Sequence, residues 1–319
     1  MFKKIAIKTG VLTTVFILAV IVSSYVTNRG NTDMSADMGG ATLPRISFMT
    51  EGYEVNSLPG YKSDMTLTSM RDTLTPVTNN QLDMNIAKYD NQIQKVYWQV
   101  YTLNGKKCIQ EGTIKDVQDT VTLNFKNTKI LKVTLYLDNQ NIYFYTRIKN
   151  SADCNYKKSL DFANDFHNAA LENQGDKVES YLETDSSEDS STYQEVTLAS
   201  TQSQVTWGSL APQVSGNVYW EIKECNENYT SLVLKYQVKC TGDTDYADRL
   251  YSVKEFFRIR TGEDAQQYLL DYDRTMNQRF DGKTTALNQK GVLVGIAPTD
   301  LEYETNTDGT IVAFIEDNQ

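Results

Sequence analysis

His167 is the only histidine among 319 residues, so chemistry that needs an imidazole has one place to sit. It falls in the run Leu160, Ala163, His167, Ala170 and Leu171, apolar at helical spacing. A general base needs a partner within hydrogen-bond reach, and the sequence signals none, so a half-buried helix histidine is expected. Glu221 and Glu255 lie on strand-like runs. A glycosidase could use such a pair across a cleft at about 5–10 Å, but two acids without a partner pattern are a thin basis. Asp243, Asp245 and Asp248 spell D-x-D-x-x-D. Calcium accepts such oxygens, yet the glycine and glutamate of an EF-hand loop are missing, and a solvated acidic hairpin loop is expected. Cys108, Cys154, Cys225 and Cys240 are dispersed and give no zinc spacing. There is no glycine-rich phosphate loop and no Gly-x-Ser-x-Gly elbow. The expectation is therefore no catalytic residue, no cofactor and no metal.

Two other side-chain types carry information. Cys225 and Cys240 invite a hairpin disulfide, but a turn near Asn226–Asn228 would set Cys225 opposite roughly residue 230. All four cysteines are expected to behave as small hydrophobes, with some pairing left open. Tyrosine is abundant, at 20 residues. Tyr97, Tyr101, Tyr136, Tyr143 and Tyr145 alternate with apolar residues and so share the strand face opposite the core. Tyrosine offers flat apolar area with a polar tip, suited to protein or sugar contact. The alternative is cross-strand packing on a wet sheet face, or contact with a neighbouring domain.

What positions these residues begins with the N-terminus. Gly10–Val26 holds no charge and spans about 25 Å as a helix. Including Ile5–Lys8, with the lysine snorkelling, gives an adequate membrane span. Val11, Phe16, Leu18, Ile21 and Val26 represent its lipid-facing side chains. Lys3, Lys4 and Lys8 precede it, and all 41 acidic residues follow residue 29. The positive-inside rule then puts the N-terminus in the cytoplasm and the bulk outside. A cleaved signal peptide is the competing reading, but Val22 and Ser24 before Tyr25 match a cleavage site poorly. No cysteine follows for a lipid anchor. The acidic remainder disfavours nucleic acid as a partner.

Beyond the cytoplasmic stub and anchor (1–29) and a small, polar tether (30–42), residues 43–149 look all-β. Leu82, Met84 and Ile86 alternate, as do Val96, Trp98 and Val100, and Val133, Leu135 and Leu137. Asn104-Gly105 signals a two-residue hairpin turn, and Asp138–Asn141 a second turn. About seven strands suggest an immunoglobulin-like or fibronectin-like sandwich. Residues 150–282 read as an α+β domain: a helix from 156, a shorter one over Asp176–Leu182, then long strands. Arg274–Phe280 is expected as a terminal helical turn. Residues 283–319 hold two strand-like runs, Gly291–Ile296 and Ile311–Ile315, flanking Asp308-Gly309. The fold class is mainly β with α+β, behind a transmembrane helix.

Several runs carry a resemblance: Arg45–Phe48, Gly52–Asn56, Leu58–Tyr61, Val205–Gly208, Ser231–Tyr236, Phe256–Arg260 and Tyr268–Tyr272. Together they resemble an uncharacterised family of large membrane-anchored, extracytoplasmic β-rich proteins from anaerobic Gram-positive gut bacteria. The resemblance implies location and architecture, not activity. It also implies a β-propeller-like region to follow, with Asp308–Ile315 as its first blade strand and this chain as the front portion of a longer design.

These readings converge on a non-enzymatic binding or scaffolding protein of the cell envelope, with an envelope protein or glycan as partner. An extracytoplasmic sensor coupled to a membrane partner is the alternative, and a glycan hydrolase using Glu221 and Glu255 a third.

Overall fold

The structure is a computed structural model that describes residues 2–28, 43–126, 128–153, 155–185, 187, 190–242, 249–279, 287–288, 291–292, 303–305 and 312–314. Contacts divide the chain into two units, Gly40–Arg279 and a smaller one of Met1–Gly39 with Phe280–Gln319.

In the smaller unit, α1 (Phe2–Asn28) is one continuous helix. Within it Lys8–Val26, 19 residues of mean hydropathy 2.0, is long and apolar enough to cross a membrane. Val11, Phe16, Leu18, Ile21 and Val26 are all exposed along it. A helix apolar on every side suits lipid better than one side of a soluble core. The Thr13 and Thr14 hydroxyls donate to the carbonyls of Thr9 and Gly10, at 3.0 and 2.9 Å, so both are satisfied within the helix.

The larger unit is mainly β. The chain first forms β1 (Arg45–Thr50), β2 (Tyr53–Pro59), β3 (Leu74–Val77), β4 (Gln81–Ala87), β5 (Ile93–Tyr101), β6 (Cys108–Ile114), β7 (Thr120–Asn124), β8 (Ile130–Leu137) and β9 (Asn141–Asn150). Next come α2 (Tyr156–Leu171), α3 (Gly175–Val178), β10 (Glu195–Thr197) and α4 (Gln202–Val205). Four long strands complete it: β11 (Pro212–Cys225), β12 (Thr230–Cys240), β13 (Leu250–Thr261) and β14 (Gln267–Gln278). They assemble into a nine-stranded sheet, β10-β14-β13-β12-β11-β2-β1-β4-β7, and a five-stranded sheet, β3-β9-β8-β5-β6.

The alternation in the sequence decides which faces meet. Val96, Trp98 and Val100 of β5, and Leu82, Met84 and Ile86 of β4, are buried while their neighbours are not. Side chains of both sheets join one hydrophobic core, a sandwich-like arrangement in which the Trp98 and Phe125 rings meet edge-on at 5.3 Å. Gly112 on β6 makes room for that ring, because a Cβ there would fall 2.6 Å from Trp98 Cε2.

Helix α2 lays Leu160, Ala163, Phe166 and Ala170 on the β11–β14 part of the sheet, with Phe166 5.0 Å from Tyr272 and 6.0 Å from Phe257. The expected helix from 156 is therefore present. The shorter second one is split into α3 and a 3-10 turn, Glu179–Tyr181.

Several expectations are corrected. The boundary between 149 and 150 lies inside a single unit: β11 pairs in parallel with β2 at Trp220 and Val55, so one sheet runs through both segments. A separate sandwich would leave the β2 edge bare, and β11 joins it at the Trp220–Val55 bridge. Arg274–Phe280 is not a helical turn, because β14 continues through Gln278 with Tyr272, Arg274 and Met276 facing inward. At Asn104-Gly105 only the glycine takes positive φ, +69°, and the loop is wider than two residues, closing from Thr102 to Lys107 at 2.9 Å.

In the C-terminal region β15 (Leu287–Asn288) pairs with β16 (Gly291–Val292), and β17 (Tyr303–Thr305) with β18 (Val312–Phe314). Of the two strand-like runs, Gly291–Val292 and Val312–Phe314 are strands among the described residues. The tether 30–42, Cys154, the Asp243–Asp248 motif and Asp308-Gly309 lie outside the described residues.

Candidate functional site

The five tyrosines do share the outer face of the five-stranded sheet. Tyr97 pairs with Thr134, and Thr134 with Tyr143; Lys95 pairs with Tyr136, Lys132 with Tyr145, and Tyr101 with Ile130. Directly opposed residues point to the same side, and this side is the reverse of the one holding Val96 and Trp98.

Their surroundings differ. The Tyr97 hydroxyl donates to Glu111, and that bond first, then partial burial, pushes its pKa up to about 12. The Lys95 ammonium lies 4.0 Å from the Tyr136 ring centre and the Lys132 ammonium 5.1 Å from that of Tyr143, within cation–π range. Tyr97, Tyr101, Tyr136 and Tyr143 are half-buried, but Tyr145 is only 6% exposed.

The cover over Tyr145 is the connection from β2 to β3. Tyr61 exchanges backbone hydrogen bonds with Tyr143 at 3.0 and 2.9 Å, and its ring stands 6.2 Å from that of Tyr145. Asp64 Oδ2 accepts from Lys132 Nζ at 2.5 Å, and Oδ1 from the Tyr145 hydroxyl at 2.7 Å. The Met65 N–H donates to the same hydroxyl at 2.8 Å. Arg71 reaches the Leu103 carbonyl at 3.1 Å. Burial would raise the Asp64 carboxyl, but the bonds from Lys132 and Tyr145 outweigh it and hold it below the usual range. Burial and the neighbouring Asp64 push the Tyr145 hydroxyl well up, against the opposing bond from Met65. Tyr145 thus belongs to the outer face by register but not to its open surface.

A second cluster is buried between α2 and β12–β14. Glu255 Oε1 accepts from the Tyr236 hydroxyl and faces His167 Nδ1 at 3.1 Å. Burial pushes the Glu255 carboxyl up; the nearby His167, Arg274 and Tyr236 overcome this and hold it below its usual value. Arg274 is the cross-strand partner of Glu255, yet its guanidinium turns to the α4 end. There it donates to the carbonyls of Val205 and Gln204, at 2.8 and 2.7 Å, and lies 3.9 Å over the Trp207 ring. Trp207 holds φ = +65°, an uncommon conformation for a bulky residue. By type these residues could do acid–base work. By position they brace the core: Glu255 and Arg274 have no exposed surface, and His167 is 4% exposed.

The pair imagined for a glycosidase separates. Glu221 pairs with Val233, which pairs with Phe256, while Glu255 pairs with Leu234. The two carboxylates therefore project from opposite faces of the sheet and cannot flank one bond. Glu221 is held by Lys223 and Lys235, at 2.7 and 2.9 Å.

Cys225 does stand opposite Thr230 and Cys240 opposite Pro212, at the two ends of the β11–β12 hairpin. Cys225 is nevertheless disulfide-bonded, so the expectation of a small unpaired hydrophobe does not hold there. Among the described residues no group of histidine, cysteine and carboxylate side chains could hold a metal ion.

Sequence reading missed the Glu255–His167–Arg274 cluster and the cover over Tyr145. A signal for the first exists: Glu255 sits between Val253 and Phe257, and Arg274 between Tyr272 and Met276, at inward positions of their alternations. Compared with family models, curated proteins and solved structures, the chain matches none.

Proposed function

We propose that the chain is a single-pass membrane protein whose β-rich bulk stands outside the cytoplasm and binds a protein partner of the cell envelope through the outer face of the five-stranded sheet. The observation that carries this reading is the shared face of Tyr97, Tyr136 and Tyr143, partly open and rich in ring area. A protein suits it better than a glycan: sugars stack on open ring faces, and Lys95 and Lys132 already lie over Tyr136 and Tyr143.

Three features support the location. α1 has the length and composition of a span, the lysines precede it, and the disulfide at Cys225 fits an oxidising compartment. The order β1-β4-β7 opposite β3-β9-β8-β5-β6 supports an immunoglobulin-like reading of the sandwich.

The test is crosslinking of the full-length chain in intact cells, followed by capture. A discrete set of envelope proteins should appear with the wild type and fall away when Tyr97, Tyr136 and Tyr143 are all changed to alanine. Equal capture by both forms would sink the surface. Protease added to intact cells should remove the bulk of the chain, and a fully protected chain would sink the orientation.

A further inference from the structure

Residues 61–72 leave β2, cross the outer face of the five-stranded sheet and return to β3. None of the twelve is buried. The crossing is anchored at its ends by the Tyr61–Tyr143 backbone bonds and by Lys223 donating to Asp72, and is held between them by a few polar contacts. At its near end Asp64 clasps Lys132 and Tyr145. At its far end Leu67 rests beside Gly105, 3.1 Å from where a Cβ on that glycine would stand, and Arg71 is tied to Leu103. Beneath the clasp the Lys132 side chain is 10% exposed.

We propose that residues 61–72 form a displaceable strap, kept shut by Asp64 on Lys132 and Tyr145, whose release uncovers Tyr145 and completes the five-tyrosine surface.

The chemistry of the clasp says what would lift it. Lys132 and the Tyr145 hydroxyl form a receptor for one carboxylate, a charge-assisted pair of donors, and Asp64 occupies it from within the chain. An acidic side chain of the partner presented to the same two donors would compete with Asp64. None of its residues is fully buried, so folding the strap back gives up only the partial cover of Leu67 and Met70. The register supports the gain: Tyr145 lies next to Tyr143 along β9, opposite Lys132, so lifting the strap extends the open surface without rearranging the sheet. This inference rests on the binding face proposed above for its purpose, but not for its test.

Trypsin can cut the strap after Lys62 and Arg71. The full-length chain in phospholipid nanodiscs is digested briefly, and the two strap cleavages are followed by mass spectrometry against cleavage after Lys177. Cleavage of a transiently opened segment tracks its open population, so Asp64→Asn should speed both strap cuts by about tenfold. Cleavage at Lys177 should stay at the wild-type rate, and Asp90→Asn should behave as wild type. Tyr145→Phe, which removes one donor to Asp64, should give a smaller increase of the same selectivity.

Strap cleavage at the wild-type rate in both variants overturns the proposal. If Asp64→Asn speeds all sites equally, the chain has loosened throughout and Tyr145→Phe decides: selective strap cleavage supports the proposal and none overturns it. A strap that opens selectively without any rise in captured partner leaves the strap standing and sinks the binding face.

Discussion

The Asn56 side chain accepts a 2.9 Å hydrogen bond from the Ile222 amide, across 166 positions of sequence. Its amide nitrogen donates to the Leu74 carbonyl at 2.9 Å and to the Thr75 hydroxyl at 2.8 Å. One buried residue therefore ties β2, β3 and β11 together where the parallel β2–β11 pairing is confined to Trp220 and Val55. Asn56 also holds φ = +53°, a conformation asparagine tolerates better than most residues.

Asn56→Ala leaves the Ile222 N–H and the Leu74 carbonyl without their partner and puts an unsuited residue at positive φ. The expected loss of unfolding free energy is about 3 kcal/mol, measured by urea denaturation of the detergent-solubilised chain. A loss below about 1 kcal/mol would mean that the joint is held by other contacts.

Glu255 gives a pH dependence with a defined sign. Its folded carboxyl titrates below the ordinary value of 4.5, so its stabilising share is present above that value and is lost as pH falls beneath it. Acid titration of the wild type should show stability declining from pH 4.5 downward, and Glu255→Gln should flatten that decline. Glu255→Leu should cost about 3–5 kcal/mol at neutral pH, because it leaves His167 Nδ1 and the Tyr236 hydroxyl buried without their acceptor and the nearby Arg274 charge without a carboxylate. A Glu255→Gln curve parallel to wild type would refute the ionised assignment.

Arg274→Lys keeps the charge and still should not substitute. A lysine cannot reach two carbonyls in a fork while lying flat on Trp207. The expected cost is about 2–4 kcal/mol, together with a red-shifted tryptophan emission as Trp207 gains water. Unchanged emission and stability would show that the stacked guanidinium is dispensable.

Thiol labelling separates the cysteines. Cys108 is a free, half-buried thiol and should react with maleimide in the unfolded, unreduced chain. Cys225 should react only after reductant is added. Reduction should lower stability by about 2–4 kcal/mol. Labelling of Cys225 without reductant would contradict the pairing.

The strands were legible where one face is apolar and the other wet, as in Leu82, Met84 and Ile86. A period of two is forced by the pleat. The helix at 156 was legible for the same reason, with its own period. Arg274 misled because a charged residue at an inward position breaks the alternation that marks a strand. The β2–β11 pairing was invisible because one bridge between distant segments leaves no local pattern. The tyrosine face was readable from parity alone. The cover over Tyr145 was not, because residues 61–72 are polar and carry no period.

The chain is made from its N-terminus, and that bears on the nine-stranded sheet. When β1–β9 have emerged, the outward side of β2 offers unpaired amides, and the segment that covers it, residues 212–225, has yet to arrive. A bare strand border of this kind recruits neighbours, and such distant pairings close slowly. The edge of β2 therefore stays open during synthesis until Trp220 docks beside Val55.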